Sequence, residues 1–254
     1  MVLTFDDYRI KCSLLQIINK INPFFFIKAG ILFLFILLQI YLIFIKTHHT
    51  LDLEVYPNTN PSPNIYAKNT VGQTFIPKRD NISRIEVMLG THERENDKDI
   101  IFSLWALTPE RKLLAEKNFN ASTVQNNLFN AIDFHPVPVS KNKTHYFQLQ
   151  SPQSTPENSI CVWMNGKDIY KQGAFTYNNK EANGDLIFRV YAKRPIYKEL
   201  SRITRNYSGI FASYGFLIAA VIFFEVIQIL ILIKLLEFIG YFLKERKEKI
   251  EVNG

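Results

Sequence analysis

"ISRIEVML", residues 82–89, alternates apolar and polar side chains. From Ile85 onward every second residue is apolar, and Arg84 and Glu86 lie between the apolar positions. Successive side chains of a β-strand point to opposite faces of a sheet, so a period of two predicts a half-buried strand. The stretch therefore indicates a sheet with one face against a core and the other in water.

Similar short segments recur between residues 50 and 195, separated by turn residues. No stretch there has a sustained helical period, so nothing supplies the crossover helices of a parallel sheet. Pro109 in "LTPERK" and Asn183-Gly184 in "EANGDL" predict hairpin turns, the second of type I′. We predict a mainly β fold, an antiparallel β-sandwich or jelly roll. The other predicted strands are 51–56, 71–76, 100–107, 112–119, 128–134, 145–150, 160–164, 174–177 and 185–191.

This region resembles a jelly-roll module of bacterial membrane proteins. The resemblance covers roughly residues 70–192 and rests on "VGQTFIPKRDNISRIEVMLGTHERENDKDIIFSLW", "NNLFNAIDFHPVPVSKNKTHYFQLQSPQSTPENSICVW" and "NGDLIFRVY". Such modules are similar to carbohydrate-binding sandwiches and accompany polytopic glycosyltransferases of cell-surface polysaccharide pathways. The resemblance implies a location at the cell envelope and an association with such glycosyltransferases. It implies no catalytic residue in this sequence.

Two apolar segments, residues 29–45 and 209–233, flank the predicted strands. As a helix the first spans about 26 Å, slightly less than a ~30 Å hydrocarbon layer, and Lys28 and Lys46 can extend to the interfaces. No small-residue cleavage site follows it, which favours an uncleaved anchor over a signal peptide. The second segment is long enough to cross with tilt and is ended by Lys234. We therefore expect the chain to cross a lipid bilayer twice.

Basic residues near the spans indicate the orientation. The leader and the tail are both rich in lysine and arginine, against Lys46 and a basic cluster at 193–205 on the other side. Positive charge near membrane ends favours the cytoplasm, whereas long loops translocate regardless of charge. We expect a bacterial plasma (inner) membrane protein with both termini cytoplasmic and an extracytoplasmic central domain. The net charge of +7 is then largely topogenic and indicates no nucleic-acid partner.

These observations divide the chain into seven predicted segments. They are a cytoplasmic leader (1–28), transmembrane helix 1 (29–45), a spacer with the first strand (46–69), the extracytoplasmic β-sandwich (70–195), a basic juxtamembrane connector (196–208), transmembrane helix 2 (209–233) and a cytoplasmic amphipathic tail (234–254). The tail is expected to continue the second helix and to bend near Gly240.

Four aromatic residues are candidates for binding a saccharide: Trp105, Trp163, Tyr170 and Tyr177. Aromatic rings offer flat apolar faces for the C–H face of a pyranose and polar edges for hydrogen bonds. Both tryptophans lie within predicted strands, where core packing is the alternative. Tyr170 lies in a loop and is the preferred contact.

Catalytic, metal and cofactor signatures are not found in the sequence. There is no nucleophile elbow, no zinc-protease motif, no phosphate-binding glycine loop and no C-x-x-C. His48 and His49 are adjacent and point in different directions, so a metal site would need ligands from elsewhere. The acidic loop 91–99 could hold calcium, but its interleaved Arg94 and Lys98 favour a solvated loop. We expect no enzyme activity, no cofactor and no metal.

Three polar residues interrupt the apolar segments: Gln39 in the first and Glu225 and Gln228 in the second. Counted from Lys28 and Lys234, Gln39 and Glu225 lie at about the same depth, roughly 16 and 14 Å from the cytoplasmic edge. A Gln39–Glu225 hydrogen bond could join the two spans, within one chain or between copies in a homo-oligomer. Gln228 extends this polar stripe toward the cytoplasm and offers a contact to the helix of a partner membrane protein.

The leading functional hypothesis is a non-catalytic binding or scaffolding subunit in envelope glycan or glycolipid assembly. Its partners would be a saccharide or a polytopic glycosyltransferase. Two alternatives stay open: a polysaccharide chain-length regulator, which shares the two-pass layout but usually has long periplasmic helices, and a ligand-sensing subunit that acts through a partner.

Overall fold

A computed structural model describes residues 23–57, 59–199 and 214–252, with side chains for 27–57, 59–199 and 219–241. The chain forms two units: a β-sandwich, Thr47–Arg194, and the helical segments on either side of it. The mainly β fold with flanking apolar helices is confirmed. Predicted features in residues 1–22, 200–213 and 253–254 lie outside the described residues.

Thirteen strands are described in the sandwich. They are β1 (Thr47–Val55), β2 (Asn60–Pro61), β3 (Thr70–Phe75), β4 (Ile82–Gly90), β5 (Asp99–Ala106), β6 (Lys112–Asn120), β7 (Leu128–Val137), β8 (His145–Gln150), β9 (Cys161–Asn165), β10 (Phe175–Tyr177), β11 (Lys180–Ala182), β12 (Asp185–Leu186) and β13 (Phe188–Pro195). One 3-10 turn, Ala121–Thr123, lies between β6 and β7.

The strands form two sheets. The six-stranded sheet has the order β11-β10-β3-β8-β5-β6. The seven-stranded sheet has the order β1-β13-β4-β9-β12, with β7 paired to β4 and β2 paired to β9. The strands pair antiparallel, for example with Thr70 opposite Gln150 and Asp99 opposite Asn120. The alternating pattern of β4 is confirmed, because Ile85, Val87 and Leu89 are fully buried.

The core between the sheets is rich in phenylalanine. Phe147 of β8 lies 6.1 Å from Phe75, 6.1 Å from Phe102 and 5.2 Å from Phe188, measured between ring centroids. These four rings come from β3, β5, β8 and β13, so they join both sheets. Aromatic pairs at these separations add to the free energy of burying their surface.

A buried polar link also joins the sheets. Asp185 Oδ1 accepts a hydrogen bond from Gln73 Nε2 at 2.9 Å, and Asp185 Oδ2 accepts from the backbone amides of Ile169 and Tyr170 at 2.7 and 2.8 Å. Gln73 Oε1 in turn accepts from Leu186 N at 3.0 Å. The buried carboxylate is therefore well supplied with donors, and it fixes the loop that follows β9.

The predicted type I′ turn at Asn183-Gly184 is wrong. The hairpin lies between β10 and β11, where Asn178 and Asn179 have φ of 52° and 62°. Asparagine tolerates this left-handed region better than most residues, so an Asn-Asn pair can form the turn. Gly184, at φ of 100°, instead lies where the chain passes from one sheet to the other. A Cβ there would collide with the carbonyl oxygen of Asn165.

The predicted segment 46–69, a spacer with the first strand, belongs to the sandwich unit from Thr47 onward. β1 begins at Thr47 and pairs with β13, so the first strand includes His48 and His49. The proline- and asparagine-rich segment after it contains β2, which pairs with β9. Its side chains contribute as well: Ser62 Oγ accepts from Val162 N at 3.1 Å. This segment is an edge of the sandwich rather than a tether.

Two long helices among the described residues flank the sandwich. α1, Pro23–Ile40, is continued by a π-helical turn, Tyr41–Ile45, and α2 covers Tyr214–Val252. The stretches Ile27–Ile45 and Ala219–Tyr241, of 19 and 23 residues, are long and apolar enough to cross a membrane.

The predicted C-terminal end of the second span, before Lys234, lies within α2. The apolar stretch continues past Lys234, whose ammonium group lies 2.8 Å from a carboxylate oxygen of Glu237. α2 also passes through Gly240 without interruption. The charge that was expected to end the span therefore has a partner one turn further along the same helix.

Candidate functional site

Trp163 of β9 lies at the rim of a surface pocket. Its indole Nε1 donates to Asn127 Oδ1 at 2.8 Å, and the half-buried ring packs against the core. Gly90 on the neighbouring strand allows this position, because a Cβ there would lie 2.9 Å from Cys161 Sγ and 3.3 Å from Trp163 Nε1. The indole is thus held by packing on one side and by a hydrogen bond at its edge.

The pocket, called here the Trp163 pocket, has a volume of about 260 Å³. Small-molecule sites usually measure roughly 300–1,000 Å³, so this volume suits one small polar ring rather than an extended ligand. Its lining residues are Gly90, His92, Glu93, Asn126, Asn127, Cys161 and Trp163. An aromatic surface beside several polar side chains is the composition expected of a site for a polar ring with apolar faces.

A strained turn forms one wall of the pocket. His92 and Glu93 have φ of 55° and 58°, and Asn127 on the opposite wall has φ of 59°. Consecutive non-glycine residues in the left-handed region are uncommon, and such strain concentrates at functional sites. The turn is fixed by Asn126, whose Oδ1 accepts from Thr91 N at 2.9 Å.

Several polar groups in the pocket have no hydrogen-bond partner in the described part of the chain. Among the described residues, the carboxylate of Glu93 and the side-chain Nδ2 groups of Asn126 and Asn127 make no hydrogen bond. The acceptor oxygens of both asparagines are occupied, which orients the two amide donors. His92 Nε2 lies 3.1 Å from Asn64 Oδ1, so this nitrogen is a donor. One acceptor and two donors therefore remain for a ligand.

The titratable groups of the pocket do not favour nucleophilic chemistry. Burial raises the pKa of the Cys161 thiol to about 11, so the group is protonated at neutral pH. Burial, together with Arg94, lowers the pKa of His92. The pocket therefore holds a neutral thiol and a neutral imidazole near pH 7, an arrangement suited to hydrogen bonding.

Trp105 lies on the other sheet and does not join Trp163. Its ring stacks on Tyr146 at 5.5 Å, and the guanidinium carbon of Arg111 lies 5.2 Å from its centroid. Tyr146 in turn covers Gly72, where a Cβ would collide with the tyrosine ring. The Trp105 ring is thus engaged by two neighbouring side chains rather than presented beside Trp163.

Tyr170 and Tyr177 are also engaged within the domain. Tyr170 Oη accepts from Ile76 N at 3.0 Å, and its ring packs edge-on against Phe188 at 6.3 Å. Tyr177 lies in β10 and packs against the core. Tyr170 was preferred as a sugar contact because it lies in a loop. In the structure that loop is held by a hydrogen bond from Tyr170 N to the buried Asp185 carboxylate.

The polar residues of the helices pair differently from the prediction. Gln39 Nε2 donates to Gln228 Oε1 at 3.0 Å, so Gln228 rather than Glu225 is the partner of Gln39. Glu225 is half-exposed and makes no hydrogen bond among the described residues. The prediction counted residues from two lysines assumed to lie at one depth. An offset of three residues, about 4.5 Å of helix, accounts for the difference.

No group of three His, Cys, Asp or Glu side chains suited to a metal ion occurs within the part of the chain that the structure describes. In the acidic loop 91–99, Asp97 pairs with Lys98 at 2.7 Å and Asp99 accepts from Asn120 at 3.0 Å. His49 lies 3.7 Å from Asp133. These carboxylates are directed to separate partners rather than toward one centre.

Comparison with protein-family models and with curated proteins gave no match to this sequence. Among the pocket residues, Trp163 and the acidic loop that contains Glu93 could be singled out from the sequence. Their proximity in the fold could not. Asn126 and Asn127 precede a strand and carry no motif. Only the register that places Leu89 opposite Val162 brings the two loops and the tryptophan together.

Proposed function

We propose that this chain is a non-catalytic membrane subunit whose β-sandwich binds a saccharide in the Trp163 pocket during envelope glycan or glycolipid assembly. The observation that carries the proposal is the unpaired Glu93 carboxylate and the oriented Asn126 and Asn127 amides beside a fixed indole. Sugars present hydroxyl groups that both donate and accept hydrogen bonds around a ring with an apolar C–H face, and these groups match that chemistry.

The membrane setting of the proposal rests on the helices and the basic flanks. The stretches Ile27–Ile45 and Ala219–Tyr241 suit a two-pass protein. Positive charge at both chain ends favours cytoplasmic termini and an extracytoplasmic sandwich in a bacterial plasma membrane. A saccharide on that side would be an envelope component. A polytopic glycosyltransferase is the proposed partner, and the protein would present or retain the glycan beside it.

The layout of the sandwich supports this proposal over a polysaccharide chain-length regulator. Chain-length regulators usually have long periplasmic helices. The described residues between Thr47 and Arg194 contain one 3-10 turn and no α-helix.

The test is a glycan array probed with the labelled full-length protein in detergent. We expect hits for glycans with a terminal monosaccharide that fits the pocket, and loss of those hits in Glu93→Ala. The matched control is Glu95→Ala, which removes the same charge from an exposed residue of the same loop outside the pocket. An array without hits, or equal losses in both variants, would contradict saccharide binding at this site.

A further inference from the structure

A second pocket lies at the end of the sandwich where the chain leaves for the second helix. Lys193 N, near the end of β13, donates to Asn81 O at 2.8 Å, and Asn81 N donates to Val137 O at 2.9 Å. Val137 lines this pocket. The start of β1 is close by, because His49 lies 3.7 Å from Asp133 in β7. Both chain connections and the pocket therefore share one end of the sandwich.

Chain connectivity keeps this end near any membrane that α1 crosses. The helical segment ends at Ile45 and β1 begins at Thr47, so Lys46 alone lies between them. One residue spans at most about 3.5 Å. The end of the sandwich that contains Thr47 therefore lies within reach of the headgroup layer, on whichever side of the bilayer the sandwich folds.

The pocket combines positive charge with apolar surface. Its volume is about 430 Å³, and three cationic side chains line it: Arg111, Lys112 and Lys143. Glu110 is the one acidic residue of the lining. None of the three cations forms an ion pair with a carboxylate among the described residues. Arg111 is held over the Trp105 ring, and the carbonyl of Lys143 accepts from His145 Nδ1 at 2.8 Å.

The apolar part of the lining is exposed at the tip of one loop. Val139 is 62% exposed, lies between Pro138 and Ser140, and is followed by Lys141 and Lys143. An exposed branched apolar side chain followed by two lysines is poorly suited to water. It is well suited to the boundary between headgroups and acyl chains, where the lysines meet phosphate and the valine meets hydrocarbon.

The charge of the two ends of the sandwich differs. Loops at this end also carry Lys78, Lys141 and Asp80, whereas the loops at the other end carry Glu93, Glu95, Asp97 and Glu157 beside Arg94 and Lys98. A patch of net positive charge beside a membrane attracts anionic lipids. A zwitterionic surface would give no comparable gain.

We propose that the pocket formed by Arg111, Lys112 and Lys143 binds the headgroup of an anionic phospholipid, with Val139 entering the interface beside it. This site is separate from the Trp163 pocket and does not depend on saccharide binding. Each lysine or arginine near an anionic surface changes the affinity by about fivefold, so the three together contribute about a hundredfold.

Trp105 provides a local readout, since it lies 5.2 Å from the guanidinium carbon of Arg111 and the chain has two tryptophans. In the full-length Trp163→Phe variant, Trp105 is the sole tryptophan. This protein is titrated in detergent micelles with phosphatidylglycerol or phosphatidylcholine brominated high on the acyl chain. We expect the quenching of Trp105 to half-saturate at a much lower mole fraction of brominated phosphatidylglycerol than of brominated phosphatidylcholine. The ratio of the two half-saturating fractions should be about tenfold or more.

Three variants in that background complete the test. Replacing Arg111, Lys112 and Lys143 together by glutamine should abolish the preference, and Val139→Asn should weaken quenching by both lipids. The matched control replaces the exposed Lys68, Lys117 and Lys180, which do not line the pocket, by glutamine and should keep the preference. Equal quenching by the two lipids, or equal losses in the control and the pocket variant, would overturn the proposal.

Discussion

Removing the buried carboxylate of Asp185 should destabilise the sandwich more than any surface substitution of the same kind. In Asp185→Ala three donors lose their acceptor: Gln73 Nε2 and the backbone amides of Ile169 and Tyr170. The carboxylate and Gln73 are fully buried, and the hydrogen bonds from the two amides are partly buried. The link between the two sheets and the anchor of the loop after β9 are lost together.

The magnitude follows from those three donors. An unsatisfied buried donor costs about 1–3 kcal/mol, and a water molecule in the vacated space would recover part of that cost. We therefore expect Asp185→Ala to lower the free energy of unfolding by about 3–6 kcal/mol. For a domain of this size each kcal/mol corresponds to about 2–4 °C in Tm, which predicts a loss of at least about 6 °C. Asp185→Asn keeps one acceptor oxygen and should fall between the wild type and alanine.

The assay is thermal unfolding of the full-length protein in detergent, followed by near-ultraviolet circular dichroism. Asp168→Ala is the control, because Asp168 is exposed in the same loop and pairs with Lys171 at 2.9 Å. A surface ion pair of this kind is worth about 0–1 kcal/mol. If the Tm values of Asp185→Ala and Asp168→Ala agree within about 2 °C, the structural role given to Asp185 is wrong.

Three further predictions concern acid stability, the helix pair and the orientation in the membrane. Burial lowers the pKa of His145, so the folded state holds it neutral, and its contribution to stability is present above pH 6.5 and lost on acidification. When the pH is lowered from 7.5 to 5.5, the Tm of His145→Gln should fall by less than the Tm of the wild type. An equal fall in Tm for the two proteins would contradict this. Gln228→Leu should lower the midpoint of unfolding in sodium dodecyl sulfate by the equivalent of about 0.6–2 kcal/mol, whereas Glu225→Leu should not lower it. In a cysteine-free background, Gln153→Cys should react with an impermeant maleimide on intact spheroplasts and Asn253→Cys should not; the reverse pattern would invert the topology.

Most of the fold could be predicted from the sequence because the alternation of apolar and polar residues within a strand shows which of its faces is buried. The alternation around Arg84 and Glu86 predicts β4 to within one residue, and the predicted bounds of β8 match the structure. β2 and β11 were not predicted, since two or three polar residues at a sheet edge have no period to detect.

The candidate site was less predictable, because it depends on which strands become neighbours. Trp105 and Trp163 are both strand tryptophans in the sequence, yet one is covered by Tyr146 and Arg111 while the other borders a pocket. Nothing local distinguishes them. The preference for Tyr170 was reasonable for a loop residue, but the buried Asp185 that holds this loop lies fifteen residues away in sequence. Long-range pairing of this kind leaves no local pattern.

The central claim, that the Trp163 pocket binds a saccharide, is tested most directly by the fluorescence of Trp163 itself. In the full-length Trp105→Phe variant Trp163 is the sole tryptophan, and its indole lies at the rim of the pocket. The protein is titrated in nanodiscs with a panel of neutral, N-acetylated and acidic monosaccharides. At least one sugar should shift the emission in a saturable way, and Glu93→Ala in the same background should abolish the shift. No saturable change with any sugar of the panel, or an unchanged titration in Glu93→Ala, would contradict the proposed function.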